Sequence, residues 1–143
     1  MVIQRIQTLW LLLASVIVAI YSFLPKGVIA SAELDSNSAT IIQATDIPVL
    51  LVVELLIAVL LFIAIFLFKN TKRQKRVTII SMLLIVVSEV TELMLHYRWA
   101  SYGGKFEWLG STTVLFGALI FAALALKGIN HDEKLLRSAD RLR

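Results

Sequence analysis

Three glutamates, Glu54, Glu89 and Glu92, and one histidine, His96, stand inside or at the edge of long apolar stretches in this 143-residue chain. Ionisable side chains are costly in such stretches and mark sites by default. Clustered carboxyls with an imidazole can relay protons, hold a cation or ligate a metal. At about 100° per residue, Ser81, Ser88, Glu92, Thr78, His96 and Glu89 fall within one sector of about 100° on a helix through Val77–Tyr97. A polar stripe of this kind on a spanning helix faces protein or water rather than lipid. Glu54 lies on the preceding apolar run, close to the same end, and reaches Glu89 and Glu92 if the two helices are neighbours. Three carboxylates in low dielectric cannot all stay ionised cheaply, so at least one is expected to keep its proton. The same residues also admit purely local bonding: protonated glutamates to Ser88, Thr91 or a backbone carbonyl, and Glu92 to His96 or Arg98. A docking face for a partner helix is the third reading. A metal centre fits poorly, because carboxylate-bridged bundles repeat Glu-x-x-His, whereas Glu92 and His96 are four positions apart and no second such pair exists.

The elements that must position these residues are four apolar runs, Ile6–Leu24, Ile47–Phe68, Val77–Tyr97 and Trp108–Leu126. About 20 residues at roughly 1.5 Å rise cross a hydrocarbon core of about 30 Å. The runs predict a single all-α domain over residues 1–143, an antiparallel four-helix transmembrane bundle followed by a tail, 127–143. Apolar residues make up 59% of the chain and charged residues 17%; soluble domains carry about 25% charge. There is no cysteine, which excludes disulfides, thiol redox chemistry and Cys-ligated metals. No Gly-rich phosphate loop, His-Glu-x-x-His motif or nucleophile elbow occurs. An enzyme is not expected, nor is a bound cofactor.

The net charge of +4 is distributed to one side. Arg5 precedes the first run; Lys69, Lys72, Arg73, Lys75 and Arg76 crowd the link between runs two and three; Lys127, Lys134, Arg137, Arg141 and Arg143 follow run four. The other links hold Lys26, Arg98 and Lys105 beside Glu33, Asp35, Asp46 and Glu107. Short-loop Lys/Arg bias places the basic side in the cytoplasm, so both termini are expected there, beside anionic headgroups that attract basic segments. Nucleic acid is not an expected partner; the lipid bilayer is, with another membrane protein or a second copy as further possibilities. Arg5, the apolar stretch after it and Ala30-Ser31-Ala32 resemble a secretory signal and its cleavage site. The apolar run is longer than the usual core of a signal, so an uncleaved first helix is expected.

Pro25 and Gly27 should stop the first helix. Val28–Asp46 alternates weakly around the turn formers Asp35-Ser36-Asn37-Ser38, consistent with a short outer hairpin or with a loop. Asp46 is expected to cap the second helix, with Pro48 in its first turn. Trp10 is expected to anchor the inner interface, and Tyr97, Trp99, Tyr102 and Trp108 to form an aromatic belt at the outer one. Ser15 with Ala19, and Ala118 with Ala122, are small-xxx-small pairs that allow helices to approach closely. The tail His131–Arg143 spaces Leu135, Leu136, Ala139 and Leu142 on one helical face, and Asp132 and Glu133 suit a helix N-terminus. A short amphipathic helix on the membrane surface is expected. Lys134, Arg137, Asp140, Arg141 and Arg143 are the candidate docking residues if it serves a partner instead.

The tail segment Asp132–Arg143, DEKLLRSADRLR, and the opening segment Ile3–Ala14, IQRIQTLWLLLA, together resemble a Bacteroidota family of small four-helix membrane proteins catalogued as a domain of unknown function. The resemblance extends over the whole chain, with specific motifs at its ends. It implies a bacterial inner-membrane protein and supplies no activity or functional residue. The expected function is that of a non-enzymatic accessory, scaffold or assembly subunit of a membrane complex. The alternative is a small transporter or ion- or proton-binding protein using the outer-half carboxylates.

Overall fold

A computed structural model describes residues 2–30, 39–43, 47–100, 105–108 and 112–141. Helices α1 (Val2–Tyr21), α2 (Pro48–Phe66), α3 (Thr71–Ala100) and α4 (Thr112–Arg141) form an antiparallel four-helix bundle. Each helix packs on its neighbours in the chain, and α1 closes the ring against α4. Three strands, β1 (Pro25–Ala30), β2 (Ala39–Gln43) and β3 (Lys105–Trp108), lie in the links at the end of the bundle away from the termini. Three of the helical segments, Pro48–Lys69, Thr71–Leu95 and Thr113–Leu135, are long and apolar enough to cross a membrane. The apolar part of α1, Ile6–Tyr21, is shorter, because the chain turns out of the helix at Ser22 instead of continuing to Leu24.

Large apolar side chains point outward all along the bundle, including Val49, Val52, Leu56, Phe62 and Phe66 on α2 and Ile80, Leu83, Val87 and Met94 on α3. In water this surface would aggregate; in lipid it is the solvated face. The interior is built from small and mid-sized residues at helical spacing. Leu11, Ala14, Val18 and Tyr21 of α1 meet Leu115, Ala118, Ala122, Ala125 and Ile129 of α4, with Ile57, Leu61 and Ala64 from α2. Ala118 and Ala122 therefore lie in the α1–α4 seam, as their spacing predicted. Trp10 stacks on Phe121 across that seam, with ring centroids 5.5 Å apart, and so packs between helices where an interface anchor was expected. Ser15 Oγ donates to the Ala58 carbonyl at 3.0 Å, a direct bond between α1 and α2 of the kind that joins helices in lipid.

Helix α3 is inverted relative to a soluble amphipathic helix. Its inward positions are Gln74, Thr78, Ser81, Ile85 and Ser88, and of these only Ile85 is apolar. The alternating spacing of four and three keeps them on one face. Thr78 and Ser81 return their hydroxyl protons to the carbonyls of Gln74 and Val77, which satisfies them within the helix. The helix also begins earlier than its apolar run. Asn70 Oδ1 accepts the Arg73 N–H at 3.2 Å, an N-terminal cap, so the basic residues Lys72–Arg76 occupy the first turns of α3. The link to α2 shrinks to a single 3-10 turn, Leu67–Lys69, and Asn70.

Four further details bear on the expectations from sequence. The N-cap position of α2 falls on Ile47, without a side-chain cap bond, and Pro48 begins the helix as expected; Asp46 lies outside the described residues. Trp108 does not start helix four. It ends β3, paired opposite Gly27 of β1, where the alternation of Lys105–Trp108 suits a pleated edge. Of the two readings for Val28–Asp46, the described residues fit the hairpin: β1 pairs antiparallel with β2, and β3 adds to its other side to give the order β2-β1-β3. The tail is not a separate surface helix: α4 runs unbroken for 30 residues, about 45 Å, beyond the thickness of the hydrocarbon core. Ser31, Ala32, Asp35–Ser38, Tyr102 and Arg143 lie outside the described residues, as does the side chain of Trp99.

The physical reason for the continuous α4 lies in its long-range contacts. Asp132 and Glu133, read from sequence as residues of a helix N-terminus, instead bind neighbouring helices from within α4. Gln7 Nε2 of α1 donates to Asp132 Oδ2 at 2.7 Å, and Lys75 of α3 lies 3.4 Å from Glu133 Oε2.

Candidate functional site

The strand β1 delivers a residue that the sequence placed in a solvent-exposed link. Pro25 pairs with Gln43 and Gly27 with Ile42, so two residues of β1 advance against one of β2. Lys26 is the extra residue of this bulge. Bulges re-aim a side chain out of the regular ladder, and here the lysine is buried, with 5% of its surface exposed. Its ammonium donates to Glu54 Oε1 at 2.8 Å and to the Tyr21 carbonyl at 3.2 Å. It also lies 3.5 Å from Glu92 Oε1 and 3.0 Å above the centre of the Tyr21 ring, a cation–π contact made in a desolvated setting.

Tyr21 completes the circuit: its hydroxyl donates to Glu92 Oε2 at 2.6 Å. One network thus joins the last residue of α1, the bulge of β1, the second turn of α2 and the polar face of α3. Glu54 is fully buried. A short charge-assisted bond is expected at such a place, because a buried carboxylate without a partner is strongly destabilising. The described partners of Glu92 are Tyr21 and Lys26, brought to it by the end of α1 and by the bulge; the side chain of His96, one of its expected partners, lies outside the described part.

Of the residues singled out from sequence, Glu54 and Glu92 meet through Lys26. Ser88 is buried one turn below Glu92, and its hydroxyl makes no hydrogen bond among the described residues. Glu89 points toward the α3–α4 seam, into a pocket of about 250 Å³ lined otherwise by Ile85, Val86, Val90, Leu93, Phe116 and Leu119. Its Oε1 is buried there without a hydrogen bond among the described residues. The backbone of His96 lies in α3, and its side chain is outside the described part of the structure. Among the described residues no group of His, Asp and Glu side chains could hold a metal ion. Of the tail residues, Lys134 is exposed on α4; the side chains of Arg137, Asp140 and Arg141 lie outside the described part.

Sequence reasoning missed Lys26 and Tyr21. The available signal was a lone lysine between Pro25 and Gly27, directly after an apolar helix and ahead of a run of β-branched residues. Chemically, the network fixes carboxylates instead of presenting them. Among the described residues it contains no metal ligand set.

Fold and site together define a small helical membrane-type bundle with a buried ion network under a three-stranded cap. Residues 3–142 match the model of the family described as Domain of unknown function (DUF4293), and the chain belongs to that family. No curated protein and no solved structure matches it.

Proposed function

We propose that this chain is a non-enzymatic accessory or scaffold subunit of a complex in the bacterial inner membrane, with both termini in the cytoplasm. The orientation rests on the basic residues of the α2–α3 link, the start of α3 and the end of α4, all at the terminal end of the bundle. One observation carries the functional reading. The position between Glu54 and Glu92 that a transported cation would need is filled by the chain's own Lys26 ammonium, 2.8 Å from Glu54. The polar groups of α3 are turned inward, and the feature left facing outward is the α3–α4 pocket with Glu89.

A second reading, an ion- or proton-binding carrier, draws on a different observation. Glu54, Glu89 and Glu92 face a single described ammonium, and Glu54 Oε2 and Glu89 Oε1 make no hydrogen bond. Reconstitution into liposomes separates the two. Under the accessory reading, a pH or potassium gradient drives no flux above that of protein-free vesicles. Flux through the wild type that Glu54→Gln abolishes would establish the carrier instead.

The partner arm of the test uses mild-detergent purification with crosslinking. A partner crosslinked beside Val86 or Leu119 and lost in Val86→Trp, which fills the pocket, supports the accessory reading. Truncation before Asp132 is a poor probe of the tail, since it also removes the ties to Gln7 and Lys75. Paired substitution of Arg137 and Arg141 tests docking there without cutting those ties.

A further inference from the structure

We propose that the terminal end of the α3–α4 seam binds the phosphate of an anionic phospholipid. Lys75 from α3 and Asn130, Glu133 and Lys134 from α4 line a polar pocket of about 280 Å³, near the lower end of the range for small-ligand sites, roughly 300 Å³. Among the described residues, neither the Lys134 ammonium nor the Asn130 amide makes a hydrogen bond or ion pair. Lys75 is held loosely: its 3.4 Å separation from Glu133 exceeds the roughly 2.7–2.9 Å of a committed charge-assisted bond. Three donors therefore converge on one pocket with hydrogen-bonding capacity to spare. Glu133 leaves the lining with a net positive charge, and Arg76 stands exposed on the first turns of α3.

The pocket sits where a headgroup would be. Outward apolar side chains begin at Ile79 and Ile80 on α3, about one turn from Lys75, and on α4 run to Leu124, nearly three turns from Lys134, with Leu135 exposed beyond it. Above it, Met82 and Val86 share the face of Lys75, and Leu119 shares that of Asn130. Eleven residues separate Lys75 from Val86 and Asn130 from Leu119, about 16 Å along a helix. That is close to the length of an acyl chain in one leaflet, about 15 Å. A phospholipid with its phosphate on Lys75, Asn130 and Lys134 would lay its chains along the seam and end at the pocket that holds Glu89. Basic pockets between transmembrane helices recognise anionic headgroups in this way.

Native mass spectrometry of the full chain in neutral detergent tests the site, with phosphatidylglycerol, phosphatidylcholine and inorganic phosphate as probes. Phosphatidylglycerol should be retained at one per chain in preference to phosphatidylcholine. The double variant Lys75→Gln/Lys134→Gln should lower that retention about tenfold. Asn130→Leu should lower it several-fold with no change of charge, while Lys69→Gln/Lys72→Gln should leave it within about twofold. Equal retention of the two lipids, or an equal loss in the Lys69/Lys72 control, would overturn the proposal in favour of general surface attraction. Stabilisation by inorganic phosphate at the level given by phosphatidylglycerol would overturn the lipid as the source of the anion.

Discussion

Lys26→Met should destabilise the folded bundle by about 3–5 kcal/mol, the usual cost of removing one partner from a buried ion pair. Methionine keeps the length and the apolar stem of lysine, so the loss reports the ammonium and not a cavity. The size of the effect follows from where Glu54 sits. Its side chain is fully buried, and its only hydrogen bond among the described residues comes from Lys26. Without the ammonium, Glu54 and Glu92 lose the cation that lies between them, and Tyr21 loses the cation over its ring. Unfolding in mixed micelles with rising sodium dodecyl sulfate, followed by far-ultraviolet circular dichroism, measures the loss. The sheet should loosen with it, since Lys26 is the point at which β1 is tied to α2 and α3.

Gly128→Ala should also be damaging, although it adds only one methyl group to a helix. A Cβ at position 128 would stand 2.6 Å from Cγ of Gln7 and 3.2 Å from its Nε2. No ordinary contact is that short, and Gln7 cannot simply swing aside, because its amide is bonded to Asp132 one turn along α4. Relief requires either the loss of that bond or a separation of α1 from α4 where Gln7 lies against Gly128. Overpacking of this kind costs about 1–3 kcal/mol, against the few tenths to one kcal/mol that alanine would return in helix propensity. The same micelle titration distinguishes the cause: Gly128→Ala/Gln7→Ala, which removes the obstructing atoms, should recover most of the loss. A double variant no more stable than Gly128→Ala alone would place the strain elsewhere.

Much of the architecture is legible from the residues because lipid simplifies the code. Apolar runs of about 20 residues can do little but cross, and the polar sector of α3, repeated from Thr78 to Glu92, cannot face hydrocarbon. Those two features determine the bundle and its orientation about α3. The boundaries are another matter. Lys72–Arg76 and His131–Arg141 carry so much charge that hydropathy reads them as link and tail. In the structure they continue α3 and α4 as helix, and lysine, arginine and glutamate are good helix formers. Lys105–Trp108 has only four residues, too few for its alternation to stand out against the aromatic pattern around it.

The candidate site was legible in half. Glu54, Glu89 and Glu92 announce themselves by being acidic in apolar surroundings. Lys26 does not, because a lysine just outside a helix is the commonest residue of a membrane-protein link. Its inward course depends on the register of β1 against β2, a relation between residues about fifteen positions apart that no local spacing encodes. Glu133 and Asp132 were misplaced for the same reason: their partners, Lys75 and Gln7, are remote in the chain.

The central claim is that Lys26 and Glu54 form one buried pair that closes the carboxylate site from within. A double-mutant cycle tests it most directly. Lys26→Met and Glu54→Leu are made singly and together, and each is unfolded in mixed micelles. The structure predicts a costly loss for Lys26→Met and substantial recovery in the double variant, since apolar replacement of a whole buried pair is often neutral, with a coupling of about 2–3 kcal/mol. Losses that simply add, with coupling below about 0.5 kcal/mol, would mean that the ammonium and the carboxylate do not meet. Glu54 would then be free for the ion chemistry that this account assigns to no external ligand.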